Sequence, residues 1–179
     1  MCLHGAGHLG TWHVTVGDST TTGRHPMWRG ELQSKEGGRM HFDRAEALRR
    51  AAAADHGVLA TLHQSRGADL VPVCFAIAGD RVAIPIDSVK PKGSTALGRI
   101  RNLERDPRAT LLVEHWDAVD WSRLWWVRLL LVRTSEPPGE VASLEQALRR
   151  RYPQYATAPF VEILTFRIDH IGGWAASTG

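Results

Sequence analysis

Between residues 58 and 86 the chain carries three short apolar runs whose connections are too tight for anything but antiparallel neighbours. Val58-Leu59-Ala60-Thr61-Leu62 reads as a strand, Ser65-Arg66-Gly67 as a turn, and residues 70–78 as a second strand that is apolar on both faces. Gly79-Asp80 is a two-residue hairpin turn, and residues 81–86 return as a third strand. Antiparallel strands can be joined by two residues, whereas parallel strands need a crossover of a dozen or more. Pro72, inside the second run, cannot donate to a ladder and places that strand at an edge or a bulge.

The remaining pattern extends the same architecture. Asp43 caps a helix over residues 43–54, and Glu46 three positions on completes a capping box. Ser94 or Thr95 caps a second helix that runs to Arg105, with Leu97, Ile100 and Leu103 at helical spacing, and Asp106-Pro107 stops it. Residues 109–116 and 124–132 read as strands, 141–151 as a helix and 160–169 as a last strand. Strands and crossover helices do not alternate, which argues against a doubly wound parallel sheet. The expected fold is mainly β (α+β): a six-stranded antiparallel barrel with peripheral helices. Residues 1–39, rich in Gly, Thr, Ser and His and without apolar periodicity, read as a disordered N-terminal extension, and 40–179 as one domain.

Bulk properties narrow the function classes. A net charge of +3 with dispersed arginines does not make a nucleic-acid footprint. Arg149-Arg150-Arg151 is the one tight basic run, and at a helix end it suits the dipole as solvated charge. No apolar run approaches the ~20 residues of a membrane span, and no secretory signal opens the chain. Two cysteines make neither a disulfide framework nor a zinc cluster; Cys74, in an apolar run, reads as a buried inert thiol. His4, His8, His13 and His25 match no zinc spacing, so no metal site is expected. These features suit a cytoplasmic protein without nucleic-acid or membrane partners.

The chemistry concentrates between Lys90 and Arg128. Lys90-Pro91-Lys92-Gly93-Ser94-Thr95 joins two cations and two hydroxyls to a helix start, whose free N–H groups and dipole favour an anion. Four of the seven tryptophans fall between Trp116 and Trp126. Trp125 and Trp126 are adjacent in a strand and so point to opposite faces, only one of them toward any groove. Packing accounts for aromatics as readily as ring binding does. There is no G-x-S-x-G elbow and no P-loop, and Glu114 and His115 face opposite ways, so no catalytic acid, base or nucleophile can be named.

Several segments together identify a family. They are Gly57-Val58-Leu59-Ala60-Thr61-Leu62, Leu70-Val71-Pro72-Val73-Cys74-Phe75-Ala76, Lys90-Pro91-Lys92 and the R-N-L-x-x-D-P piece at residues 101–107. The more specific ones are Asp120-Trp121-Ser122-Arg123-Leu124-Trp125-Trp126-Val127-Arg128 and Arg151-Tyr152-Pro153-Gln154-Tyr155. The chain resembles the pyridoxamine 5'-phosphate oxidase-like (PPOX) superfamily of FMN-binding split β-barrels, and within it the branch of deazaflavin (F420)-dependent oxidoreductases. The resemblance implies a homodimer with cofactor sites at the interface and hydride transfer between a reduced ring and a small, hydrophobic organic acceptor. It implies coenzyme F420 as cofactor, with FMN as the alternative, or a non-catalytic flavin- or haem-binding carrier or sensor. It also implies ring contacts from Val71, Pro72, Val73, Trp126 and Trp174, and a phosphate held by Lys90, Lys92, Ser94 and Thr95. The Arg-containing segment that follows the last strand in true pyridoxamine phosphate oxidases has no counterpart after Trp174, so vitamin oxidation is not expected.

Overall fold

The structure is a computed structural model that describes residues 40–87, 98–157 and 159–177. Residues 1–39, expected to be an extension, lie outside the described residues. Eight strands form one antiparallel sheet: β1 (Met40–His41), β2 (Gly57–His63), β3 (Gly67–Val73), β4 (Ala76–Ala78), β5 (Arg81–Asp87), β6 (Arg108–His115), β7 (Trp125–Thr134) and β8 (Phe160–Ala175). The helices are α1 (Arg44–Ala53), α2 (Gly98–Arg105) and α3 (Pro138–Arg151).

Hydrogen bonding runs in the order β3-β2-β6-β7-β8-β5-β4, with β1 added on β8. The two ends of this path, β3 and β4, are neighbours in sequence, separated only by Cys74 and Phe75. The three steps from Val73 to Ala76 reach no more than about 11 Å when fully extended. The sheet must therefore curl until its ends meet, without a ladder closing them. That is a split barrel, as the hairpin pattern and the resemblance led one to expect.

Alternation sets what fills it. Leu59 from β2, Leu111 and Val113 from β6, Val127, Leu129 and Leu131 from β7, and Leu164, Phe166 and Ile168 from β8 are buried together. Val82, Ile84 and Ile86 of β5 complete the interior, and Ala47 and Ala51 of α1 pack against it. A second, smaller cluster lies under α3, where Leu144 and Leu148 cover Ala76 and Ala83. No helix among the described residues is long and apolar enough to cross a membrane.

Several expectations are corrected. The strand expected over 70–78 is two strands, because Phe75 turns inward to full burial and breaks the ladder at Cys74. With the two-residue β1, six strands become eight. The last strand continues past 169 to Ala175 through Gly172 and Gly173. Gly173 is needed there: a Cβ would lie 2.6 Å from Phe42 and 2.8 Å from the Trp126 carbonyl. α3 starts at Pro138, whose missing N–H costs nothing in a first turn. Asp43 does accept the Glu46 N–H at 2.8 Å, but Glu46 turns to Arg49 and Arg50, so the capping box is half made.

Candidate ring-binding site

β3 lies at one end of the sheet and pairs only with β2 among the described residues. Its opposite backbone edge has no strand partner among the described residues. Val73 is buried, Val71 packs on the same core, and Pro72 between them is exposed on the outer face. Two hollows flank this strand. The larger, about 900 Å³, is lined by Pro72, Val73, Cys74, Pro85, Arg99 and Tyr152, with other residues of α1 and the 151–155 segment. The smaller, about 320 Å³, is lined by Thr61, Asp69, Leu70, Val71, Gly98 and Arg99, with Arg66. Arg99, in the first described turn of α2, borders both. Cys74 is partly exposed on the larger hollow, not buried as expected, because Phe75 takes the core position.

The walls of these hollows are held by two polar clamps. Asn102 of α2 is buried and donates to Thr61 and to Asp69, each at 3.0 Å, fixing the helix on β2 and β3. Arg66 and Asn102 hold the Asp69 carboxyl below the usual carboxylate range. On the other side, the Tyr152 hydroxyl accepts the Phe75 N–H at 3.0 Å and lies 2.9 Å from the Phe75 carbonyl and 3.1 Å from that of Asp55. Arg151 donates to the Ala52 and Ala54 carbonyls at the end of α1. Helix ends leave such carbonyls without intrahelical partners. Arg149 pairs with Glu145 and donates to the Tyr155 carbonyl. Two of the three arginines expected to be solvated are therefore structural.

Lys90, Lys92, Ser94 and Thr95, expected to hold a phosphate, lie outside the described residues. Trp126 and Trp174 sit elsewhere on the barrel. Trp125 packs against the core, with His115 stacked on it at 6.1 Å, while Trp126 faces outward. Trp174 faces outward too, since its neighbours Gly173 and Ala175 are buried. Trp126 pairs in register with Glu114 on β6 and with Trp174 on β8, and Trp174 pairs with His41 on β1. One cross-strand row on the outer face therefore reads Glu114, Trp126, Trp174, His41. Arg128 lies over the Trp126 ring at 5.8 Å.

The expected ring contacts thus fall into two groups. β3 and β7 are separated by β2 and β6, three strand spacings or about 14 Å along the sheet. Sequence reading assigned no role to Asn102, Tyr152 or Arg99. The first two sit in the motifs that carry the resemblance, but their work is to hold the walls.

No family model and no curated protein matches the chain. Solved structures do. A heme-binding protein from Mycobacterium smegmatis is 20% identical, with a TM-score of 0.58 over 75% of this chain and 54% of that one, so the chain spans about half its length. A FAD-binding protein from Mesorhizobium loti is 16% identical, TM-score 0.54, over 78% and 98% of the two chains. A putative pyridoxamine 5'-phosphate oxidase from Corynebacterium glutamicum is 14% identical, TM-score 0.51, over 78% and 99%. The fold is that of the PPOX-like split barrels.

Proposed function

We propose that this split-barrel protein is a homodimeric oxidoreductase that uses the deazaflavin F420 and reduces a small, hydrophobic acceptor. The observation that carries the reading is that the residues expected to contact a ring lie on two separate groups of strands, β3 and β7-β8. A ring against Val71, Pro72 and Val73 of one copy is out of reach of that copy's Trp126 and Trp174, so the second wall comes from a second copy. A two-fold axis uses the same patch of both subunits and makes two such sites. The outer face also exposes Leu62, Leu70, Leu112 and Leu130, which a partner would cover. The residues fit a flavin-like group: a strand edge with no partner among the described residues offers backbone contacts, and outward indoles offer stacking surface.

The cofactor supplies the hydride chemistry; the chain binds and orients it and keeps water from the ring. Lys90, Lys92, Ser94 and Thr95 supply cations and hydroxyls for its phosphate. The specific D-W-S-R-L-W-W-V-R and R-Y-P-Q-Y motifs support F420 over FMN. Titration of the purified protein with F420, FMN and hemin, followed by tryptophan fluorescence, tests the assignment. F420 binding in the micromolar range or tighter is expected. Tight FMN or hemin binding with none of F420 would overturn it. Lys92→Ala should weaken F420 binding at least tenfold while leaving the melting temperature unchanged.

A further inference from the structure

Two prolines line the larger hollow, and their places in the ladders have a common consequence. Pro72 lies inside the β2-β3 ladder, where Val71 pairs with Leu59 on one side of it and Val73 with Gly57 on the other. Pro85 lies inside the β5-β8 ladder, between the pairs Ile84 with Leu164 and Ile86 with Glu162. A proline has no N–H to give, so it leaves a ladder unbroken only where its nitrogen points away from the partner strand. The nitrogen of Pro72 therefore points away from β2, and that of Pro85 away from β8. Both are aimed at the place where the sheet is not closed, between β3 and β5. β4 pairs with β5 as Ala78 with Arg81, Ile77 with Val82 and Ala76 with Ala83. Continued by two residues, this ladder would set Cys74 opposite Pro85 and begin to zip β3 onto β5. It stops at Ala76 instead, and Pro72, Val73, Cys74 and Pro85 border the hollow of about 900 Å³.

We propose that Pro72 and Pro85 are a pair of positioning residues that hold this split open as a slot for the N–H-bearing edge of a planar ligand. The proposal rests on the flavin-like reading above and deepens it, by adding Pro85 and the sense of the hydrogen bonding. In an extended antiparallel strand the N–H and C=O of one residue point to the same side. Each proline thus turns a carbonyl to the gap and brings no donor with it. The two edges cannot satisfy one another at these positions. Pro85 is buried, where a carbonyl gains most from a donor. A ligand with N–H groups along a flat edge, as in an imide or amide, supplies what both edges lack. A peptide strand added on β3 would find no donor at Pro72, which is how a proline blunts an edge strand. Tyr152 anchors the far side of the slot: its hydroxyl accepts the Phe75 N–H at 3.0 Å, which holds the junction of β3 and β4 in place.

The test uses the full chain and two ring probes, riboflavin and 3-methylriboflavin, titrated against tryptophan fluorescence. The methyl group removes the imide N–H. Amide hydrogen exchange at Cys74 reports whether the ladder has extended. Wild type should bind riboflavin about tenfold more tightly than its methylated form, the effect of one hydrogen bond. Pro85→Ala restores an N–H with less bulk than proline. It should slow exchange at Cys74 about tenfold and weaken riboflavin by a similar factor. A proline that served packing alone would give faster exchange there. Pro72→Val, at an exposed position on the other edge, should also weaken riboflavin, and it carries the test if Pro85→Ala loses its cooperative thermal transition. Riboflavin binding unchanged in both variants, faster exchange at Cys74 in Pro85→Ala, or equal binding of the two probes by wild type would overturn the proposal. If wild type binds riboflavin but is indifferent to the prolines, only this proposal fails. If it binds no ring while Cys74 gains protection in Pro85→Ala, the functional reading fails and the prolines keep their part in holding the split.

Discussion

At the residue scale, the two adjacent glycines of β8 have opposite constraints. A Cβ on Gly173 would press on Phe42 at 2.6 Å, the Trp126 carbonyl at 2.8 Å and Val127 at 3.0 Å, two of them parts of a packed core. A Cβ on Gly172 would meet only the His170 ring at 3.7 Å. Gly173→Ala is therefore expected to cost about 1–3 kcal/mol in urea denaturation, as overpacking does, while Gly172→Ala stays near wild type. Tyr152→Phe removes one oxygen and leaves the Phe75 N–H without its 3.0 Å partner where the sheet splits. A loss of about 1–3 kcal/mol is expected, with faster hydrogen exchange at Phe75. Nothing local marks either Gly173 or Tyr152: each is defined by a residue more than 45 positions away.

At the element scale, most boundaries were legible because they depend on nearest neighbours. Gly79 takes a φ of 62°, as the tight hairpin over Gly79-Asp80 requires. Pro72 is in an edge strand, as its lack of an N–H demands. The misread segment, 70–78, failed for a different reason: its residues are uniformly apolar, so periodicity could not show that Phe75 leaves the ladder for the core. The turn from α2 into β6 offers a pH prediction. Arg108, bonded to Asp106 through its side chain and its backbone N–H, lowers that carboxyl to about 2. A depressed folded-state value means that the stabilisation is complete above the ordinary value of 3.8. It is lost as pH falls from there through about 2. Asp106→Asn should abolish this part of the acid limb in thermal melts between those pH values, and leave the melts above pH 5 parallel to wild type.

At the scale of the whole molecule, the exposed outer face is where the proposed dimer can be tested. Leu70 is 62% exposed and Leu112 36%, on the same face as Pro72 and Trp126. If a second copy covers this face, Leu70→Asp paired with Leu112→Asp should shift sedimentation from dimer to monomer. Ring binding should fall with it, because each site would lose a wall, while each monomer keeps its melting cooperativity. A monomeric wild type that still binds F420 tightly would instead require one chain to hold the ring alone.

Hairpin spacing, turn residues and alternation are local, and they suffice for an antiparallel β protein with helices between its strands. They also suffice to turn Trp125 and Trp126 to opposite faces. Which residues stand side by side on the barrel is not local. Glu114 and His41 belong to one row only because β6, β7, β8 and β1 settle in a register fixed by the inward side chains of all of them. A slip of one residue in any strand would turn that strand's side chains to the opposite face. The distance between β3 and the tryptophan row has the same origin. Tertiary packing alone places the residues expected to contact a ring on two separate groups of strands.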